Sequence, residues 1–186
     1  MMSEYLPSWL PMVEELLQVV NERGETIGSI EKLAAHQNGG TWHRAISVFL
    51  SNSAGEVLIQ QRSDSKYHFA GKWANSCCSH PWPGEKPLSA AMRTAERELG
   101  IEASLTELGA FRYSASDSVS GLTEKELDHV FVGQWNAEIP FCEAEVAAVR
   151  WISLPQLRAE IAANPSEFAP WLGLILDGFE ALNRAA

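Results

Sequence analysis

Gly84-Glu85-Lys86-Pro87-Leu88-Ser89-Ala90-Ala91-Met92-Arg93-Thr94-Ala95-Glu96-Arg97-Glu98-Leu99-Gly100-Ile101 holds the clearest helix of the chain. Pro87 suits a first helical position, where a missing N–H costs nothing, and Gly100 is a stop, so the spacing predicts a helix over 87–99. Leu88, Ala91, Met92, Ala95 and Leu99 make its apolar stripe. Glu98 follows Ala91 by seven residues and falls at the edge of that stripe, where a helix looks into a cleft. Upstream, 16–20 and 26–30 flank the hairpin signal Asn21-Glu22-Arg23-Gly24. Residues 31–36 read as a helical turn, and 45–50 pairs with 57–61 around Asn52-Ser53-Ala54-Gly55. Downstream, 105–113 and 125–135 read as strands, and 153–163 and 167–182 as closing helices. This order implies an α/β (α+β) protein, a mixed β-sheet packed between helices. Residues 1–15, with Pro7 and Pro11, read as an N-terminal arm and 16–186 as one domain.

A chain of 186 residues, 46% hydrophobic and 20% charged, can bury a real core as a globular protein. No apolar run approaches the roughly 18 residues of a membrane span. Residues 1–18 lack a basic start and a long apolar centre, so no secretory leader is expected. Three cysteines, two of them adjacent, do not form a disulfide framework, and a reduced, cytoplasmic protein is expected. The formal net charge of −10 argues against nucleic acid and anionic membrane as partners. A phosphate ligand would need a local basic cluster or metal ions to meet it. The oligomeric state stays open.

Metal-ligand residue types are spread along the chain. His36 and His43 bracket Gly39-Gly40, His80 follows Cys78 by two, and Glu124 and Glu126 are two apart. Residues i and i+2 of a strand share a face, so both carboxylates can address one ion. Three imidazoles and two carboxylates suit a divalent Zn, Mn or Mg ion better than an all-sulfur site would. A thiol two residues from a candidate ligand places chemistry beside the metal.

The segment 84–101 resembles a Nudix box, the loop-helix-loop with which Nudix hydrolases hold metal on a diphosphate. It is eroded: Ser79 stands where that pattern begins with glycine, Thr94 where glutamate follows the arginine, and Arg97-Glu98 where a glutamate pair is usual. Hydrolysis needs several carboxylates to bind metals and activate water, and two are missing. Beside this box stand Glu31-Lys32-Leu33-Ala34-Ala35-His36, His43, Gln61-Arg62, Trp73-Ala74-Asn75-Ser76-Cys77-Cys78-Ser79-His80-Pro81, Phe111-Arg112-Tyr113, Glu124-Lys125-Glu126-Leu127 and Phe168-Ala169-Pro170-Trp171. Together, from about residue 19 to about residue 171, they resemble type I isopentenyl-diphosphate isomerase, a family built on a modified Nudix fold.

That resemblance implies an enzyme acting on a small isoprenyl diphosphate, protonating an alkene at one carbon and deprotonating another through a cation from which water must be kept. It implies Cys78, Glu126 and Tyr113 as the acid–base set, with Glu126 and Tyr113 as donor and Cys78 as acceptor. The direction stays open because the reaction is reversible. One divalent ion (Mn2+, Zn2+ or Mg2+) would sit on His36, His43, His80, Glu124 and Glu126. A Mg2+ arriving with the diphosphate would sit on Glu98 and the Cys78 carbonyl. Lys32, Arg62, Lys66 and Arg93 would hold the diphosphate, and Trp171 would offer an indole face to the cation. Cys77 and Cys142 read as structural thiols, His68 and His129 match no ligand position, and Asp128 is either a support for the ligands or structural. A diphosphate hydrolase and a catalytically inactive metal-binding domain are the competing readings.

Overall fold

The structure, a computed structural model, describes residues 15–66 and 68–179. Most of the expected N-terminal arm, and the last residues of the expected closing helix, therefore lie outside the described residues. The elements run β1 (Leu16–Val20), β2 (Thr26–Glu31), α1 (Lys32–His36), β3 (His43–Ser51), β4 (Glu56–Arg62), β5 (Trp73–Ala74), β6 (Cys77–Ser79) and α2 (Pro87–Thr94). After α2 come a π-helical turn (Ala95–Leu99), β7 (Thr106–Ser116), β8 (Thr123–Gln134), β9 (Val146–Ser153), α3 (Leu154–Ala163), a 3-10 turn (Pro165–Glu167) and α4 (Pro170–Gly178).

β3 is the hub. It pairs parallel with β8 from His43↔Glu126 to Ser51↔Gln134, and antiparallel with β6 through Ser47↔Cys78. β1 and β2 form the expected hairpin. The hairpin expected between β3 and β4 exists only at its base, Ser51↔Val57, because β4 turns away to pair with β9 over its whole length. Strand alternation then sorts side chains to two cores. Phe49, Val57, Ile59 and Val130 face α3 and α4, whereas Ile46, Val48, Leu50, Leu58 and Phe131 face α2. The mixed sheet thus lies between helices.

α2 differs from its expected stripe. Ala90, Ala91 and Thr94 are buried, but Leu88 and Met92 are 42% and 50% exposed. At 100° per residue they lie more than roughly 100° around the helix from the centre of the buried arc, and alanines allow the close approach to the sheet. Leu99 follows Met92 by seven residues and in a continuous α-helix would share its exposed side. It is fully buried because the π turn inserts one extra residue and swings the end of the helix back toward the core. Gly100 ends the turn at φ 68°, where a Cβ would lie 2.7 Å from the Pro140 carbonyl oxygen. Leu99→Ala should therefore cost about 2–5 kcal/mol in urea unfolding. Met92→Ser should stay within about 0.5 kcal/mol of wild type, whereas the stripe read from sequence would make both costly.

Candidate active site

β3 contributes odd-numbered and β8 even-numbered residues to the face that carries α3 and α4, since His43 is level with Glu126. His43, Ser47, Glu124, Glu126 and Asp128 therefore point one way. Cys78, level with Ser47, joins them, while Cys77 packs into the opposite core. His80 lies just beyond β6. His36 enters from the end of α1, whose N-terminus is capped by the Glu31 carboxylate accepting from the Leu33 and Ala34 amides. The Gly39-Gly40 turn brings α1 over β8. A Cβ at Gly40 would lie 2.8 Å from the Thr123 carbonyl oxygen, next to Glu124.

The five sequence-derived ligand residues are all buried, and their donor atoms lie within 4.8 Å of one another. His36 Nε2 is 2.9 Å from Glu124 Oε2, and His80 Nε2 is 3.0 Å from Glu126 Oε1. His43 Nε2 is 3.5 Å from Glu126 Oε1 and 3.9 Å from Glu124 Oε2, with no hydrogen bond of its own. His36 Nδ1 donates to the Lys32 carbonyl (2.6 Å) and His43 Nδ1 to the Thr41 carbonyl (2.7 Å), which turns both Nε2 atoms into the cluster. Backbone-anchored imidazoles around a buried, hydrogen-bond-free nitrogen and two carboxylates are a donor set that can hold a divalent ion.

The charges fit that reading. Burial and the adjacent Glu124 charge push the Glu126 carboxyl up, but the close approach of the His43 imidazole and the hydrogen bond from His80 leave it below the usual range. Burial likewise opposes ionisation of Glu124, but hydrogen bonds from His36 and His68 hold it well below that range. Burial pushes His80 down to about 4, so this imidazole is neutral. Burial together with Glu126 and Glu124 pushes Asp128 well above the carboxylate range, and its Oδ2 accepts from Ser47. Asp128 thus continues the row with a carboxyl whose ionisation its surroundings oppose.

An adjoining cleft, about 520 Å³ with its mouth, is lined by His80, Glu124 and Glu126 of this cluster and by Lys32, Arg62, Lys66, Cys78, Arg97, Glu98, Tyr113 and Trp171. Tyr113 Oη donates to Glu126 Oε2. Burial pushes the Cys78 thiol up to about 12, against the opposing charge of Arg62, whose Nη1 is 3.7 Å from Sγ. Trp171 Nε1 donates to Asn75 Oδ1 at 3.0 Å, and Asn75 Nδ2 in turn bonds the Val48 and Cys77 carbonyls. Glu98 is buried, accepts from Gln60 at 3.0 Å and lies 3.6 Å from Lys66.

Three placements differ from the sequence expectation. Arg93 does not line the cleft: it pairs with Glu85, donates to the His80 carbonyl and lies 3.7 Å over the Trp82 ring. Arg97, four residues on, lines the cleft instead. His68, given no site role from sequence, is buried with Nε2 hydrogen-bonded to Glu124 Oε1. Its loop is held by Arg62, which donates to the His68 and Phe69 carbonyls, and by Asp117, which accepts from the Phe69 amide. Cys142, expected to be a structural thiol, is exposed in the loop before β9.

A buried cluster of imidazoles and carboxylates beside a helix that retains one box glutamate, on this sheet, defines a Nudix protein. The NUDIX domain family matches residues 41–172. The chain belongs, more narrowly, to the isopentenyl-diphosphate Delta-isomerase family. It is 42% identical over 168 residues to "Isopentenyl-diphosphate Delta-isomerase" of Nocardia farcinica, covering 90% of this chain and 96% of that protein. With the protein of the same name from Streptomyces coelicolor it shares 47% over 163 residues, 87% of this chain and 82% of that one. A crystal structure from Deinococcus radiodurans superposes with a TM-score of 0.72 at 25% identity, covering 92% of this chain and 99% of the other. A MutT protein from Methanosarcina mazei gives 0.60 at 22% identity, covering 77% and 94%, a likeness of fold.

Added Mn2+, Zn2+ or Mg2+ should raise Tm by mass action, and exhaustive chelation should lower it. His43→Ala should lower bound metal and lose most of that Tm response; a chelation-insensitive Tm and metal content would exclude the site. For Cys78, a thiol near 12 should alkylate about tenfold faster per pH unit between about pH 7 and 10. Peptide mapping that finds a plateau below about pH 9 would show an activated thiolate instead.

Proposed function

We propose that the protein interconverts isopentenyl diphosphate and dimethylallyl diphosphate in isoprenoid biosynthesis. The observation that carries this reading is the meeting of Cys78, Tyr113 and Glu126 in one cleft, while the box keeps only Glu98 of its metal-binding carboxylates. Proton transfer to an alkene needs one group that holds a proton and another that accepts one, and the cleft supplies both. A hydrolase would need carboxylates to orient water; Thr94 and Arg97 occupy those places.

The resting protonation pattern supports a direction opposite to that expected from the resemblance. The Cys78 thiol holds its proton, burial keeps the Tyr113 hydroxyl protonated, and Glu126 is an ionised carboxylate. In the forward direction Cys78 gives its proton to the terminal alkene carbon, and Glu126 takes one from the methylene beside the resulting tertiary cation, leaving a trisubstituted alkene. The reverse reaction exchanges the roles. Tyr113 fixes the Glu126 oxygen that it bonds. The Trp171 ring, buried and held by Asn75, lies 6.4 Å from Tyr113 and offers a π face worth about 2 kcal/mol to a desolvated cation. It also excludes water that would trap that cation.

A divalent ion of Mn2+, Zn2+ or Mg2+ type on His36, His43, His80, Glu124 and Glu126 would fix Glu126 and tune its basicity, and Mg2+ carried by the diphosphate would be met by Glu98 and the Cys78 carbonyl. Lys32, Arg62 and Lys66 face the diphosphate. None of the described helices is long and apolar enough to cross a membrane, and free thiols with a water-soluble substrate support a cytoplasmic enzyme.

Isopentenyl diphosphate and Mg2+ in D2O should yield dimethylallyl diphosphate carrying deuterium, with label appearing in recovered substrate and no phosphate released. Cys78→Ala should lose turnover by at least about 10²-fold with fold and metal content retained, whereas Cys77→Ala should remain active. Phosphate or pyrophosphate release at the main rate, without allylic product, would replace the isomerase reading with the hydrolase one.

A further inference from the structure

The basic side chains at the cleft differ in how fully they are engaged. Lys32 pairs with Glu15 at 2.6 Å, and Lys66 with Glu145 and, at 3.6 Å, with Glu98. Arg62 donates to the His68 and Phe69 carbonyls and reaches the Cys78 sulfur. Arg93 is held away by Glu85 and Trp82. Arg97 is different: among the described residues its guanidinium makes one contact, Nη2 at 3.5 Å from Glu98 Oε1. Its side chain is 41% exposed while lining the cleft, which places it at the mouth with donors to spare. Thr94, which follows Arg93 in the box, is buried with its hydroxyl bonded to the Ala90 carbonyl and reaches nothing in the cleft.

We infer that Arg97 binds the terminal phosphate of the substrate diphosphate, taking the place in holding the diphosphate that the resemblance implies for Arg93. This rests on the isomerase reading above. The deep end of the cleft, walled by Cys78, Tyr113 and Trp171, suits the hydrocarbon, so the outermost phosphate falls at the mouth beside Arg97 and Glu98. A guanidinium offers paired N–H donors that match two phosphate oxygens, and its charge offsets the repulsion between Glu98 and the anion. Arg97 replaces a glutamate of the hydrolase box, so one exchange removes a water-activating carboxylate and adds a phosphate ligand.

The test is Arg97→Gln and Arg97→Lys in the full-length, metal-loaded protein, with KM and kcat for isopentenyl diphosphate and calorimetric binding of inorganic pyrophosphate with Mg2+. Arg97→Gln should raise KM about 10- to 100-fold, with kcat within about threefold. It should weaken pyrophosphate binding to a similar extent at unchanged Tm, and Arg97→Lys should recover part of both. Unchanged KM and pyrophosphate affinity in Arg97→Gln overturn the assignment, as does a fall in kcat alone. The pyrophosphate measurement is independent of turnover. A wild type that binds pyrophosphate but does not isomerise defeats the isomerase reading, while weaker binding by Arg97→Gln still upholds the phosphate contact.

Discussion

Two carboxylates side by side in a buried place are the constraint to which the rest of this structure answers. Glu124 and Glu126 share one face of β8 and are almost wholly shielded from water, where ionised groups are costly unless paired. Each is held in its charged form by imidazoles that arrive from α1, from the start of β3, from the loop before β5 and from the end of β6. This explains why β8 lies beside β3 rather than at an edge: only a central strand can be reached from so many elements. Asp128, next in the row, has its ionisation opposed by burial and by the two charges before it.

The same arrangement separates two kinds of chemistry along one cleft. At the mouth, Lys66, Glu98 and Arg97 form an alternating set of charges, suited to an anion that brings its own cation. Farther in, Cys78, Tyr113 and Trp171 line the cleft, Phe69 packs against the Trp171 ring, and the Tyr113 hydroxyl donates to Glu126. A formal charge of −10 on the whole chain would repel a diphosphate. Binding must therefore depend on this local reversal of sign, to which Arg97 contributes from the segment where the Nudix box has lost its glutamates, and Lys32, Arg62 and Lys66 from outside it.

Much of this could be read from residues alone, because it is local. The i, i+2 spacing of Glu124 and Glu126, the two-residue step from Cys78 to His80, and the opposite facing of adjacent Cys77 and Cys78 all come from strand geometry. What escaped depends on partners distant in sequence. β9 reads Val-Ala-Ala-Val-Arg-Trp-Ile-Ser with no clean alternation of burial, and it is a strand because β4 departs from β3 to meet it. His68 carries no local signal, since its place comes from Arg62 on one side and Asp117, through Phe69, on the other. Arg93 and Arg97 look equivalent on a regular helix, and the π turn that distinguishes them has no mark in the sequence that propensity would reveal.

That π turn links packing to chemistry. The alanines of α2 bring the helix close enough to β3 and β6 for Leu99 to be needed in the core, and a regular helix would have turned Leu99 outward. The extra residue restores Leu99 to the core and leaves Arg97 and Glu98 within the same turn, at the cleft. π turns are strained relative to α-helix and persist where something repays the irregularity. Here the burial of Leu99 does so, and the Gly100 cap closes the turn in a conformation that Pro140 would deny to any residue with a Cβ. The local distortion at the functional site is thus stabilised by the core on the opposite side of the helix, which is how a sheet with one eroded box can still hold a charged pair in place for a substrate.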